Sequence, residues 1–142
     1  MSNQCEHAKS KAGIYAATVT SIRRLLADHF LLTLRSQVFP TACPGQFVQI
    51  QCGSPAGIPE QDCRFDPTRV PIVRRPFSLG GWRENNGATE IEILFRVLGP
   101  GTAWMSQRRE NDEVSVLGPL GKPFSIVRDA ELSLLVGGGT GD

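Results

Sequence analysis

Apolar and polar positions alternate with a period of two along most of the chain. Tyr15, Ala17 and Val19 interleave with Ala16, Thr18 and Thr20. Over 30–35, Phe30, Leu32 and Leu34 share one face, with Leu31, Thr33 and Arg35 on the other. Val48, Ile50 and Cys52 alternate with Gln49 and Gln51 after a Pro44-Gly45 turn signal. Ile91, Ile93, Phe95 and Val97 alternate with Glu90, Glu92, Leu94 and Arg96. Such alternation predicts half-buried strands over 13–20, 30–35, 46–52 and 89–98. Two further extended segments are expected over 74–80 and 112–117, with a hairpin connection over 23–28 and polar turns over 81–87 and 118–121. Thr102 is expected to cap a short helix over 103–109, to which Trp104 and Met105 lend a small apolar surface. Six short strands and one helix late in the order predict a small antiparallel barrel.

Two stretches stand apart. Positions 53–71 carry Pro55, Pro59, Pro67 and Pro71 without periodicity, a loop length that is uncommon unless functional or mobile. Near the end, 132–136 is a continuous apolar run followed by Gly137, Gly138, Gly139, Thr140 and Gly141. It looks like the first strand of a parallel α/β domain, with no helix or second strand after it. An uncovered apolar strand of this kind also invites self-association.

Composition narrows the class. A chain of 142 residues is one domain by length, and 40% hydrophobic with 20% charged residues is ordinary globular composition that argues against disorder. Lys+Arg 15 against Asp+Glu 14 leaves +1, so no field of one sign points to nucleic acid or a membrane surface. No run approaches the ~18 apolar residues of a membrane span. The polar stretch 1–12 reads as a disordered tail without a signal-peptide core, so the expected location is cytoplasmic. There Cys5, Cys43, Cys52 and Cys63, which form no C-x-x-C pair, are expected as reduced thiols. A metal or disulfide cluster of Cys43, Cys52 and Cys63 is the alternative.

Catalytic side chains are scarce. With only His7 and His29, no Ser/His/Asp arrangement can be built, and no metal site is expected. The candidate chemistry is that of binding. Arg75 offers a planar fork for phosphate, Pro76 removes a backbone donor, Phe77 gives a flat apolar surface and Ser78 a small hydroxyl. Taken alone, the segment reads equally as an edge strand with solvated arginines. Leu94, Phe95 and Arg96 precede a glycine turn, where Gly101 and Thr102 open the helix and present amides to an anion. The plain alternative is a strand end and a capped helix. Gly118-Pro119-Leu120-Gly121-Lys122 alone is a turn with a solvated lysine. Gly137, Gly138 and Gly139 are a partial dinucleotide fingerprint, incomplete because Asp142 stands at the third glycine position.

In order and spacing these segments resemble the ferredoxin reductase-like flavoproteins, and within them the electron-transfer subunits of dihydroorotate dehydrogenase. The likeness runs from about Gly13 to Gly141 through Pro44-Gly45-Gln46-Phe47, Arg75-Pro76-Phe77-Ser78, Ile93-Leu94-Phe95-Arg96-Val97, Gly101-Thr102, Leu117-Gly118-Pro119-Leu120-Gly121 and Leu135-Val136-Gly137-Gly138-Gly139. The resemblance implies an all-β, six-stranded antiparallel Greek-key barrel that binds FAD over 13–128, followed at 129–142 by the start of a truncated NAD-binding domain. Arg75, Pro76, Phe77 and Ser78 would meet the flavin and its phosphates, Leu94, Phe95 and Arg96 the ring or ribityl side, and Gly101 and Thr102 the pyrophosphate. It further implies electron transfer between NAD(H) and a dihydroorotate dehydrogenase catalytic-type subunit in pyrimidine biosynthesis. The family's NAD(H) site and [2Fe–2S] centre are not expected on this chain. Another ferredoxin- or flavodoxin-type reductase, or a cofactor-free barrel acting as an interaction module, are the alternatives.

Overall fold

The computed structural model describes residues 11–53 and 73–125, together with the isolated positions 132, 134 and 136. The elements are β1 (Gly13–Arg24), β2 (His29–Ser36), β3 (Phe47–Ile50), β4 (Arg75–Ser78), β5 (Gly81–Asn85), β6 (Ala88–Arg96), α1 (Pro100–Ser106) and β7 (Glu113–Leu120). The seven strands form one sheet in the order β4-β3-β7-β1-β2-β6-β5, and every pairing is antiparallel. The sheet curls until the chain just after β4 reaches β6. There the Gly80 amide donates to the Glu92 carbonyl at 2.8 Å.

Period-two alternation produces this architecture because it gives each long strand one apolar face. Leu32, Leu34, Val48, Ile50, Ile93 and Val116 lie inside the curl with almost no exposure. Met105 of α1 closes one end of the same core. Their partners in sequence, such as Arg35, Gln49 and Glu92, face outward or stay half-buried. Among the described residues no helix is long and apolar enough to cross a membrane.

The barrel-like sheet with one short helix agrees with the expectation, but four local features differ. First, 81–87 is a strand and a tight turn rather than a turn alone. Asn86 and Gly87 take positive φ of 51° and 72°, which makes a two-residue hairpin between β5 and β6. Arg83 then pairs with Glu90 at 2.7 Å and Glu92 at 3.0 Å across the strands. Second, α1 begins at Pro100 with Gly99 as its N-cap, so Thr102 sits inside the first turn. Its hydroxyl still ties that turn, accepting from the Leu98 amide at 2.9 Å and the Gly99 amide at 3.1 Å. Third, β7 runs on through Gly118, Pro119 and Leu120. Pairing with β1 stops at Gly118 and the register with β3 shifts here, so the proline costs no ladder bond to β1. Fourth, Cys43 is disulfide-bonded, whereas Cys52 is a buried free thiol. The expectation of reduced cysteines therefore fails at Cys43, because disulfide connectivity depends on proximity that spacing does not reveal.

Residues 1–10 of the expected tail and 54–72 of the expected loop lie outside the described residues, as does most of 129–142. Leu132, Leu134 and Val136 are exposed at 83–86%.

Candidate functional site

A cleft of about 980 Å³ opens where β4, the end of β6 and the start of α1 meet. Arg75, Pro76, Phe77, Ser78, Leu94, Phe95, Arg96, Gly101 and Thr102 all line it. Three segments separated in sequence thus converge on one concavity. Gly137, Gly138 and Gly139 lie outside the described residues.

β4 supplies the first wall. It is an edge strand paired only with β3, so its other edge lies open to the cleft, and Pro76 has no amide hydrogen to leave unmatched there. Arg75 stands opposite Ile50 and Phe77 opposite Val48, both fully buried, so these two side chains turn toward the inside of the curl. Among the described residues the Arg75 side chain has no hydrogen-bond or ion-pair partner. It is the uncommitted cation of the cleft.

β6 supplies the second wall. Phe95 is buried, stacked on Phe30 at 5.7 Å, and meets the Phe77 ring edge-on at 6.2 Å. That contact joins the two aromatic positions singled out in the sequence. Arg96 is committed elsewhere, because its Nε donates to Asp28 Oδ2 at 2.6 Å. The guanidinium holds the Asp28 carboxyl below its usual range, chiefly through that hydrogen bond. His29 Nδ1 lies 2.7 Å from the other Asp28 oxygen.

The start of α1 forms the third side. The Thr102 hydroxyl is occupied in the turn, accepting two amides and donating to the Gly99 carbonyl at 3.1 Å. Gly101 is pressed against the first wall. A Cβ there would come 3.2 Å from Arg75 Cγ and 3.6 Å from Cys52 Sγ. Its amide is among the first-turn donors for which a helix has no internal acceptor. Cys52 lies beneath, its thiol pushed up to about 11 by burial, so it stays protonated and inert at neutral pH.

Leu79, Gly99 and Pro100, which lie within the candidate segments, also line the cleft, and the sequence reading missed Leu31, Gly80 and Leu98, which complete the lining. Leu31 enters only because its register places it opposite Leu94. Leu79 and Gly80 follow directly on the first motif, and Leu98 to Pro100 bridge the other two, so continuity was the available signal. The neighbouring Arg74 does not line the cleft.

An aromatic floor, an uncommitted guanidinium and first-turn amides suit an elongated ligand with a flat ring at one end and an anion at the other. The donor set therefore fits a phosphorylated ring cofactor.

No family model matches the chain. The dihydroorotate dehydrogenase B (NAD(+)) electron transfer subunit of Lysinibacillus sphaericus is 31% identical over 125 residues, covering 87% of this chain and 43% of that protein. The subunit of the same name from Bacillus pumilus is 35% identical over 130 residues, with the same two coverages. The chain thus spans less than half the length of these curated relatives. Among solved structures, the ferredoxin reductase in carbazole 1,9a-dioxygenase superposes with a TM-score of 0.68 at 24% identity, over 92% of this chain and 36% of that one. The siderophore-interacting protein of Acinetobacter baumannii superposes at 0.59 with 16% identity, over 84% and 44%. These likenesses establish a shared fold.

Proposed function

The chain is a sequence relative of the dihydroorotate dehydrogenase B electron-transfer subunits with a ferredoxin reductase-like fold, and on that premise we propose that its cleft binds FAD. In the intact subunit it would serve electron transfer between NAD(H) and a dihydroorotate dehydrogenase-type partner in pyrimidine biosynthesis. The observation that carries the proposal is the meeting of Arg75–Ser78, Leu94–Arg96 and Gly101–Thr102 around one cleft.

FAD, when bound, supplies two-electron and one-electron chemistry that no side chain here provides. The residues bind and orient. Phe77, Leu94 and Phe95 would give the apolar surface beside the ring, and Ser78 a hydroxyl at its edge. Arg75 and the Gly101 and Thr102 amides would meet the phosphates. Thr102 acts through the turn it ties, since its hydroxyl is already engaged. Arg96 adds little net charge while Asp28 pairs with it. A nicotinamide site, opened by Gly137, Gly138 and Gly139, and a [2Fe–2S] centre would belong to the rest of an intact subunit. The cytoplasmic location expected from the sequence is part of the same proposal.

Titration of the apo-chain with FAD, followed by flavin fluorescence, tests this. A saturable change is expected. No saturable change up to millimolar FAD would leave a cofactor-free barrel as the better reading.

A further inference from the structure

The first arginine of the Arg74-Arg75 pair does something its neighbour does not. The Arg74 guanidinium reaches across β3 to β7. Its Nη1 donates to the Ser115 carbonyl at 3.0 Å and to the Gln49 carbonyl at 3.4 Å, and its Nη2 donates to Ser115 Oγ at 2.8 Å. Gln49 belongs to β3 and Ser115 to β7, so one side chain spans from the head of β4 over two further strands. All three bonds are partly buried.

β4 needs such a tether. It is four residues long, it is an edge strand, and its second residue is a proline. Pairing with β3 covers only Arg75 to Ser78 against Ile50 to Phe47. After Ser78 the chain is held by the Leu79 amide donating to the Gln46 carbonyl at 3.4 Å and the Gly80 amide donating to the Glu92 carbonyl at 2.8 Å. Before Arg75 the Arg74 side chain is the matching hold among the described residues. Ser115 is itself fixed, because its carbonyl also accepts the Gln51 amide at 3.0 Å.

We propose that Arg74 is the positioning residue of the cleft: by bonding β3 and β7 it sets the height and tilt of β4, and so the place of Arg75, Phe77 and Ser78. The effect on FAD rests on the function proposed above, whereas the effect on β4 does not. A planar fork is required, because a lysine ammonium cannot reach two carbonyls and a hydroxyl in one plane.

Hydrogen exchange of the apo-chain, read by mass spectrometry in wild type, Arg74→Ala and Ser115→Ala, tests the proposal without any cofactor. Faster exchange confined to the segment holding 75–80, with β1, β2 and β6 protected as in wild type, is expected in Arg74→Ala. Ser115→Ala should show the same local change to a smaller degree, and it decides the matter if Arg74→Ala does not fold. Unchanged exchange at 75–80, or an equal increase across the whole sheet, would overturn the proposal. In parallel, Arg74→Ala should weaken FAD binding about tenfold, and Arg74→Lys should not restore it. A variant with loosened β4 and unaltered FAD affinity would also overturn it. Failure of the wild type to bind FAD counts against the proposed function, and the exchange result then stands by itself.

Discussion

Replacing Gly101 by alanine asks whether the helix turn and the cleft's cation are packed as one unit. The residue is buried in the first turn of α1, where an alanine backbone is ordinary. Helix propensity favours the change by about 0.8–1 kcal/mol. The new methyl would meet Cys52 Cβ at 3.5 Å and Sγ at 3.6 Å, which are ordinary contacts, but Arg75 Cγ at 3.2 Å, which is too close. The Arg75 stem belongs to an exposed, flexible side chain and gives way by a few tenths of an ångström, so the strain stays small. Stability should then remain within about 1 kcal/mol of wild type, or roughly 4 °C in Tm for a domain of this size. The cost appears in binding instead. A charge-assisted hydrogen bond contributes about 1.5–3 kcal/mol. Displacing its donor should forfeit about 1 kcal/mol of that, roughly fivefold in Kd. Flavin fluorescence titration beside thermal unfolding separates the two. Unchanged FAD affinity together with a Tm lowered by well over 4 °C would refute the reasoning, because the methyl would then strain the core and leave Arg75 in place.

Two further substitutions address the charges around the cleft. Arg75→Ala should weaken FAD binding by about 1.5–3 kcal/mol with little change in Tm, since the side chain has no protein partner among the described residues; a fall in Tm with unchanged affinity would count against it. Asp28→Asn should lower Tm at neutral pH. The Asp28 carboxyl is held below its ordinary 3.8, so its contribution is present above that pH and disappears as pH falls through the lower folded value. Melting curves should therefore differ at pH 7 and draw together as the pH falls below the ordinary 3.8 and the carboxylate is protonated, and a gap that persists in acid would refute the pairing.

How much of this was legible depended on whether the decisive contact was local. β1, β2, β3 and β6 show their inner faces through alternation alone, and the hydrophobic core lies where that alternation places it. β5 did not, because Arg83, Glu84 and Asn85 carry no apolar period. Its strand character comes from pairing with β6, where Arg83 finds Glu90 and Glu92. The Gly118-Pro119-Leu120 extension of β7 was hidden for a similar reason. A proline argues against a central strand, and only the register shows that β7 has lost its β1 neighbour by then. The start of α1 was displaced because a threonine hydroxyl can serve a helix end from the cap or from within the first turn, and here it does the latter. The pairing of Arg96 with Asp28 joins residues 68 positions apart and left no mark on the sequence around either.

The candidate site was more legible than the topology that assembles it. Arginine, proline, an aromatic and a serine in succession, or a glycine turn opening a helix, read alone equally well as an edge strand and a capped helix, and it is their order along the chain that pointed to one binding site. Their meeting is a consequence of sheet curvature. The Gly80–Glu92 bond and the Phe77–Phe95 ring contact bring β4 against β6, and α1 starts four residues after β6 ends, so the same closure delivers its first turn. The two neighbouring arginines divide the work that results. Strand alternation sends Arg75 into the cleft and leaves Arg74 on the other side, where it reaches across β3 to Ser115, so on the proposals above one would bind and the other would hold the strand that binds. Two adjacent cations that look redundant in a sequence therefore face opposite sides of one strand and meet different surroundings, which is why single substitutions at the two positions are expected to differ in effect.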